Sequence, residues 1–177
     1  ARYRAVVRPE KPAWVVLGYF INDAEVDPKP PTNPLLWNSA FVGLLSTRWR
    51  QSSEVTLRDY QVYYRELYHD GLPGWDRARA ALTEFGAQLQ KDGTPATLIL
   101  LPELHEPKNF GPFAEVYARV AETARAAGWE VLDPSGRFPE GPGEKFWVTP
   151  GDAHPNRPAQ RIFAETAAGS QFACEGR

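Results

Sequence analysis

Cysteine is almost absent from this chain. Cys174 stands alone near the C-terminus, which excludes an internal disulfide and any cysteine-based zinc cluster. Methionine is missing altogether, and the chain opens on Ala1. No charge of one sign accumulates: 20 Lys and Arg stand against 22 Asp and Glu, with no basic block among them. That balance gives no support to a nucleic-acid or membrane-surface partner. No apolar run approaches the roughly 18 residues that a membrane-spanning helix requires. No glycine-rich loop follows any apolar run, which sets aside a phosphate or nucleotide binder of flavodoxin-like type. Internal repeats and low-complexity tracts are absent as well. What remains is a chain of 177 residues, a length that suits one domain with a sizeable core.

Three short apolar runs are present: AWVVLGYFI (13–21), ATLILLP (96–102) and WEVLD (129–133). They are rich in Val, Ile and Leu and do not alternate, the pattern of parallel strands covered on both faces. Between them, residues 74–93 place Ala78, Leu82, Phe85 and Leu89 on one helical face before Gly93. Residues 113–128 repeat the design with Val116, Val120 and Ala124 and end at Gly128. A last helix is predicted from near Asn156 to Gly169, followed by a tail, 170–177. Strands alternating with helices predict βαβ units, a parallel sheet and a site at the carboxyl ends of the strands. The loops INDAE, PELHEP and DPSGRF are then expected to share one rim. Residues 24–75 break the pattern, with the proline-rich DPKPPTNP followed by two helical stretches. They read as an insertion rising above that rim.

Two segments carry the chemistry. An apolar strand runs into Asn22-Asp23, and an Asn there can donate its amide N–H to a developing oxyanion; the plainer alternative is a turn that ends the strand. In VTPGDAHPNRPAQRIFA (148–164), Asp152 can fix the tautomer of His154 and stabilise its imidazolium, as a general base requires. Pro155 stiffens the backbone after the His, and Asn156 can cap the next helix. An ordinary Asp turn with a solvated His is the alternative there.

Taken together and in this order, GYFIND and GDAHPN resemble the SGNH hydrolase superfamily, the GDSL-like esterases and lipases. LLPELHEP and AGWEVLDPSGRF are similar to that family's fourth and fifth strands with their loops. The resemblance implies a flavodoxin-like, three-layer α/β/α fold with a parallel sheet. It also implies an oxyanion-hole role for Asn22 and an acid–base pair of Asp152 and His154. Gly18 and Asn22 stand further apart here than in the family pattern, and Asp152-x-His154 is one residue shorter than the commonest spacing.

The family's nucleophile, the Ser of a Gly-Asp-Ser stretch ending the first strand, does not appear. Ser39, Ser46, Ser52, Ser53, Ser135 and Ser170 are the serines present, and none follows Gly-Asp at the end of an apolar strand. Ser135 sits in a turn-like DPSGR. The resemblance therefore implies a partial SGNH domain over 1–169, with its first strands missing. Its nucleophile is expected on a segment preceding Ala1, either cut away, left out or supplied as another chain. A homologue that has lost its nucleophile is the alternative. The expected function is hydrolysis of a small carboxylic ester, an O-acetylated carbohydrate or a lipid or short acyl ester, needing no metal or organic cofactor. The alternative is an inactive module binding a glycan or a protein.

Asp23, Glu103 and His105 are candidates for shaping the substrate pocket. Glu103, His105, Asp152 and His154 would make a metal site only if they converged in space. His69 closes an insertion helix, a favourable place for a partly cationic side chain. Trp37, Trp49, Tyr60, Tyr63, Tyr64 and Tyr68 form either a platform for sugar or acyl groups or simple packing.

Overall fold

A computed structural model describes residues 3–26 and 57–173. Its frame is a parallel three-stranded sheet in the order β1-β2-β3, with β1 at Val15–Tyr19, β2 at Ala96–Leu100 and β3 at Glu130–Leu132. Val15 pairs with Ala96 and Tyr19 with Leu100, while Thr97 pairs with Glu130. The central strand, β2, is buried along its whole length, as its largely apolar sequence leads one to expect. The mixed α/β class and the parallel sheet thus match the sequence reading.

The helices follow from their stripes. Helix α1 covers Leu57–Glu66, α2 Pro73–Asp92 and α3 Ala114–Ala126. Pro73 opens α2, where a missing N–H costs nothing, and left-handed Gly93 stops it. Trp75, Ala78, Leu82 and Leu89 of α2 and Val116, Tyr117, Val120 and Ala124 of α3 join Ala96, Leu98 and Leu100 in one core. Close approach occurs at Gly86, where a Cβ would lie 2.3 Å from the Ala127 carbonyl oxygen.

Alternation along β2 turns Thr97 away from that core. Its hydroxyl donates to Glu130 Oε2 at 2.7 Å and accepts from the Trp14 indole N–H at 2.8 Å. The Ser170 hydroxyl bonds the same Glu130 oxygen, and the Gln171 N–H donates to Oε1 at 2.9 Å. The start of the expected tail is therefore tied to the sheet. Burial pushes the Glu130 carboxyl up, but the bonds from Ser170, Gln171 and Thr97 outweigh it and hold it below its ordinary value.

The last helix, α4, covers Arg157–Ala168 and is capped as expected: the Asn156 side chain accepts the Ala159 N–H at 3.3 Å. Ala159 and Phe163 of α4 pack with Leu104, Phe138 and Phe146 in a second core cluster. The segment read as a loop around Asp152 is instead a hairpin, β4 at Trp147–Thr149 antiparallel to β5 at Asp152–Pro155. Pro150-Gly151 is a two-residue turn signal between short extended runs, and it closes the pair. In the insertion, α1 is one of the two expected helical stretches. The other, along with DPKPPTNP, Trp37 and Trp49, lies outside the described residues.

Candidate active site

A cavity of about 550 Å³ opens at the carboxyl ends of β1 and β2, within the range of small-molecule sites. Phe20 and Asn22 come from the end of β1, and Leu101 to His105 from the end of β2. The hairpin supplies Gly151 to Pro155, α4 supplies Phe163, and α1 supplies Tyr60 and Tyr64. Of the six residues expected as catalytic or pocket-shaping, five, Asn22, Glu103, His105, Asp152 and His154, line this one space.

Asp152 and His154 are two residues apart on β5, so their side chains leave the same face of the strand. Asp152 Oδ1 accepts from His154 Nδ1 at 2.5 Å and from the His154 backbone N–H at 3.0 Å. These bonds, the imidazole's first, hold the Asp152 carboxyl below the usual carboxylate range. His154 is largely exposed, with 86% of its side chain accessible, and among the described residues its Nε2 has no partner. An imidazole held at Nδ1 by a carboxylate presents Nε2 as a base.

Asn22 stands in a 3₁₀ turn, Ile21–Ala24, which fully buried Ile21 anchors to the core. The Tyr68 hydroxyl donates to the Ile21 carbonyl at 2.7 Å and lies 3.0 Å from the Tyr19 hydroxyl. Asn22 is left exposed at the cavity. Asp23 does not line it: its carboxylate accepts the Phe20 N–H at 2.8 Å and closes the turn. Burial of that carboxylate raises its pKa, and the Phe20 bond offsets part of the rise.

A second pair repeats the design of the first. Glu103 Oε2 accepts the His105 backbone N–H at 2.9 Å, and Oε1 takes the His105 Nδ1. Unlike Asp152, Glu103 is buried, with 6% of its side chain accessible. The His105 ring packs against the edge of Trp147 at 4.7 Å and lies 6.0 Å from the Tyr60 ring. Among the described residues, no three His, Cys, Asp or Glu side chains converge as a metal site needs, so the two pairs do not combine into one.

The expected aromatic platform divides. Tyr60 and Tyr64 line the cavity, Tyr63 is half exposed outside it, and Tyr68 is core. Tyr64 donates its hydroxyl to Glu25 at 2.9 Å. Burial, then the charges of Glu103 and Glu25, raise the pKa of Tyr60, keeping it a neutral hydroxyl. His69 follows α1 and pairs with Glu66 at 3.5 Å, away from the cavity. Of the three rim loops, DPSGRF does not reach the cavity. Its Ser135 is fully buried and its Phe138 packs into the second cluster.

Sequence reasoning does not single out Trp147 or Gly143, which hold the second pair in place. The Trp147 indole donates to the Leu104 carbonyl at 2.8 Å, and the Gly143 N–H to the His105 carbonyl at 3.0 Å. No motif marks them, because their partners are backbone atoms far earlier in the chain.

No family model matches the chain, and no match is found among curated proteins or solved structures. Among the described residues, no helix is long and apolar enough to cross a membrane.

Proposed function

We propose that this chain carries the base, its orienting acid and an oxyanion donor of an SGNH-type serine ester hydrolase. The observation that carries this reading is the Asp152–His154 pair opening with Asn22 onto one cavity. In the proposed reaction a serine hydroxyl adds to the ester carbonyl carbon while His154 Nε2 takes its proton. The Asn22 amide donates to the oxyanion of the tetrahedral adduct. The adduct collapses to an acyl-serine, and the imidazolium returns the proton to the departing alcohol. Water then repeats the sequence to release the acid. Asp152 stays ionised throughout and holds the ring.

The serine is proposed to come from a strand added to the edge of β1 that is unpaired among the described residues. In β1 the Val15 N–H donates to Pro95 and the Tyr19 carbonyl accepts from Leu101, so Val15, Leu17 and Tyr19 face β2. The pleat leaves the N–H and C=O groups of Val16 and Gly18 pointing to the unpaired side. An edge of this kind is an invitation to strand addition. The test supplies the chain with the segment that would fill this edge and assays a short-chain aryl ester, with His154→Ala as control. Hydrolysis that survives His154→Ala rules out this base.

A second reading, an inactive module of the same fold that binds a glycan or protein, rests on one observation. Among the described residues no serine or threonine hydroxyl is bonded to His154. The same assay separates the two: binding without turnover, with the edge filled, favours the module.

A further inference from the structure

The Glu103–His105 pair asks for an explanation that packing does not supply. A buried carboxylate is costly unless its oxygens are satisfied, and replacing such a pair by apolar residues is often neutral or stabilising. Here the cost is met by a single residue, His105, which bonds one carboxylate oxygen with its ring and the other with its backbone N–H. The surroundings then immobilise that residue. Trp147 meets the ring in a T-shaped contact, Trp147 and Gly143 hold the carbonyls of Leu104 and His105, and Glu103 fixes the ring's rotation. The ring nitrogen left over is Nε2, which has no partner among the described residues, on a residue that borders the cavity with 31% of its side chain accessible.

The rest of the lining says what such an atom would meet. Phe20, Tyr60, Tyr64, Leu101, Leu104 and Phe163 make an apolar and largely aromatic wall. The ionisable groups beside it are two carboxylates and two imidazoles. No Lys or Arg among the described residues lines it. Each acid is already matched by its own imidazole, so the described lining has no fixed cation to spare for an anion.

We propose that His105, positioned by Glu103, is a ligand-binding group. Its Nε2, left as an acceptor by the bond from Nδ1 to Glu103, accepts a hydrogen bond from an N–H or O–H of an uncharged ligand whose ring or apolar body lies along Phe20, Tyr60 and Tyr64. This deepens the ester-hydrolase reading and rests on it only for the identity of the ligand as an ester. It assigns the substrate to neutral esters that carry an N–H or O–H donor beside an aromatic or apolar part, and excludes esters carrying a carboxylate or phosphate next to the scissile bond.

The experiment uses benzamide and its anionic isostere benzoate as probes of the full chain, neither of which can be turned over. Imidazole resonances are followed by NMR, with the three histidines assigned by substitution. Benzamide is expected to shift the His105 resonances saturably, with benzoate binding at least about tenfold more weakly. His105→Ala and Glu103→Gln are expected to weaken benzamide by roughly fivefold to tenfold, the size of one hydrogen bond. His105→Gln, which keeps a donor and an acceptor near that position, recovers part of the loss. His69→Ala, outside the cavity, leaves benzamide binding unchanged. Equal binding by wild type and both His105 variants, or preference for benzoate, overturns the assignment. Should Glu103→Gln unfold the loop, the two variants of the more exposed His105 still decide the matter. The outcomes also separate the two readings. Loss of aryl-ester hydrolysis in His154→Ala, with benzamide indifferent to His105, refutes this inference and spares the hydrolase. Benzamide binding through His105, without hydrolysis once the edge is filled, does the reverse.

Discussion

Asp152 and His154 are joined twice through one atom: Asp152 Oδ1 accepts both the backbone N–H of His154 and its Nδ1. This twofold contact lets a carboxylate and an imidazole only two residues apart bond each other, as the proposed acid–base pair requires. On an extended strand, residues i and i+2 point the same way, and the carboxylate needs only to lean along the strand to reach both donors. The hairpin is thus what brings the pair together, because a helical turn at the same spacing would place the two side chains on different faces. Glu103 and His105 are also joined twice, without a strand and through both carboxylate oxygens.

Asp152→Asn tests that geometry. An amide can accept the backbone N–H but can also turn its NH₂ toward Nδ1, which selects the wrong tautomer and leaves Nε2 protonated. In the assembled hydrolase, kcat is expected to fall by about 10²–10⁴-fold, with KM nearly unchanged. Because both side chains are exposed, the melting temperature is expected to stay at the wild-type value. A normal kcat in Asp152→Asn would show that this carboxylate does not orient the base.

Glu130 links the sheet to the chain beyond α4, and its sign is set by the hydrogen bonds that hold its pKa down. A carboxyl with a lower pKa when folded adds stability above its unfolded pKa and loses it as pH falls through the folded value. Glu130→Gln is expected to cost about 1–3 kcal/mol at neutral pH, where the charged acceptor is lost. The gap between the variant and wild type should then close on acidification from about pH 6 to about pH 3. Thermal melts of the two proteins across that range measure it; a gap independent of pH would mean the carboxylate charge contributes nothing.

Gly143→Ala probes the support of the second pair. A Cβ at Gly143 would stand 1.9 Å from the Leu104 carbonyl oxygen and 3.0 Å from Pro107, where backbone and a rigid ring must give way. Destabilisation of about 1–3 kcal/mol is expected, the range for overpacking a tight site. The His105 ring, whose carbonyl is held by the Gly143 N–H, should broaden in NMR spectra while His69 keeps its line shape. Loss of stability with an unchanged His105 signal would separate Gly143 from the site.

Strands, helices and their stops are legible in the sequence because each rests on a local signal. Short runs rich in Val, Ile and Leu give β1 to β3, and the stripe Ala78, Leu82, Leu89 with Gly93 gives α2. The rim is legible too, since a parallel sheet sends Asn22 and Glu103 to the same end. Side chains that meet backbone far away in sequence leave no such signal. Tyr68 reads as part of an aromatic surface, yet its hydroxyl holds the Ile21 carbonyl 47 positions earlier. Trp147 carries no mark of its bond to Leu104. Asp23 stands out as a polar residue beside Asn22, whereas a bond three residues back, to Phe20, occupies it. Around Asp152, hairpin and loop look alike in sequence because strands of 3 and 4 residues are too short for alternation to show.

Val16→Pro decides whether the edge of β1 is a working surface. Proline is tolerated on a free edge because only an outward N–H is lost, and its fixed φ suits extended chain. Val16 is such a position: its neighbours Val15 and Leu17 face β2, and the residue is 42% accessible. Circular dichroism and thermal melts of the chain alone are therefore expected to remain close to wild type. With the edge-filling segment present, the variant should lose association and at least about tenfold in aryl-ester hydrolysis, because one ladder bond and the register of the added strand go together. Val16→Thr keeps the N–H and the β-branched shape, and is expected to retain both properties. Full activity and association in Val16→Pro would mean that the serine reaches His154 by another route than strand addition.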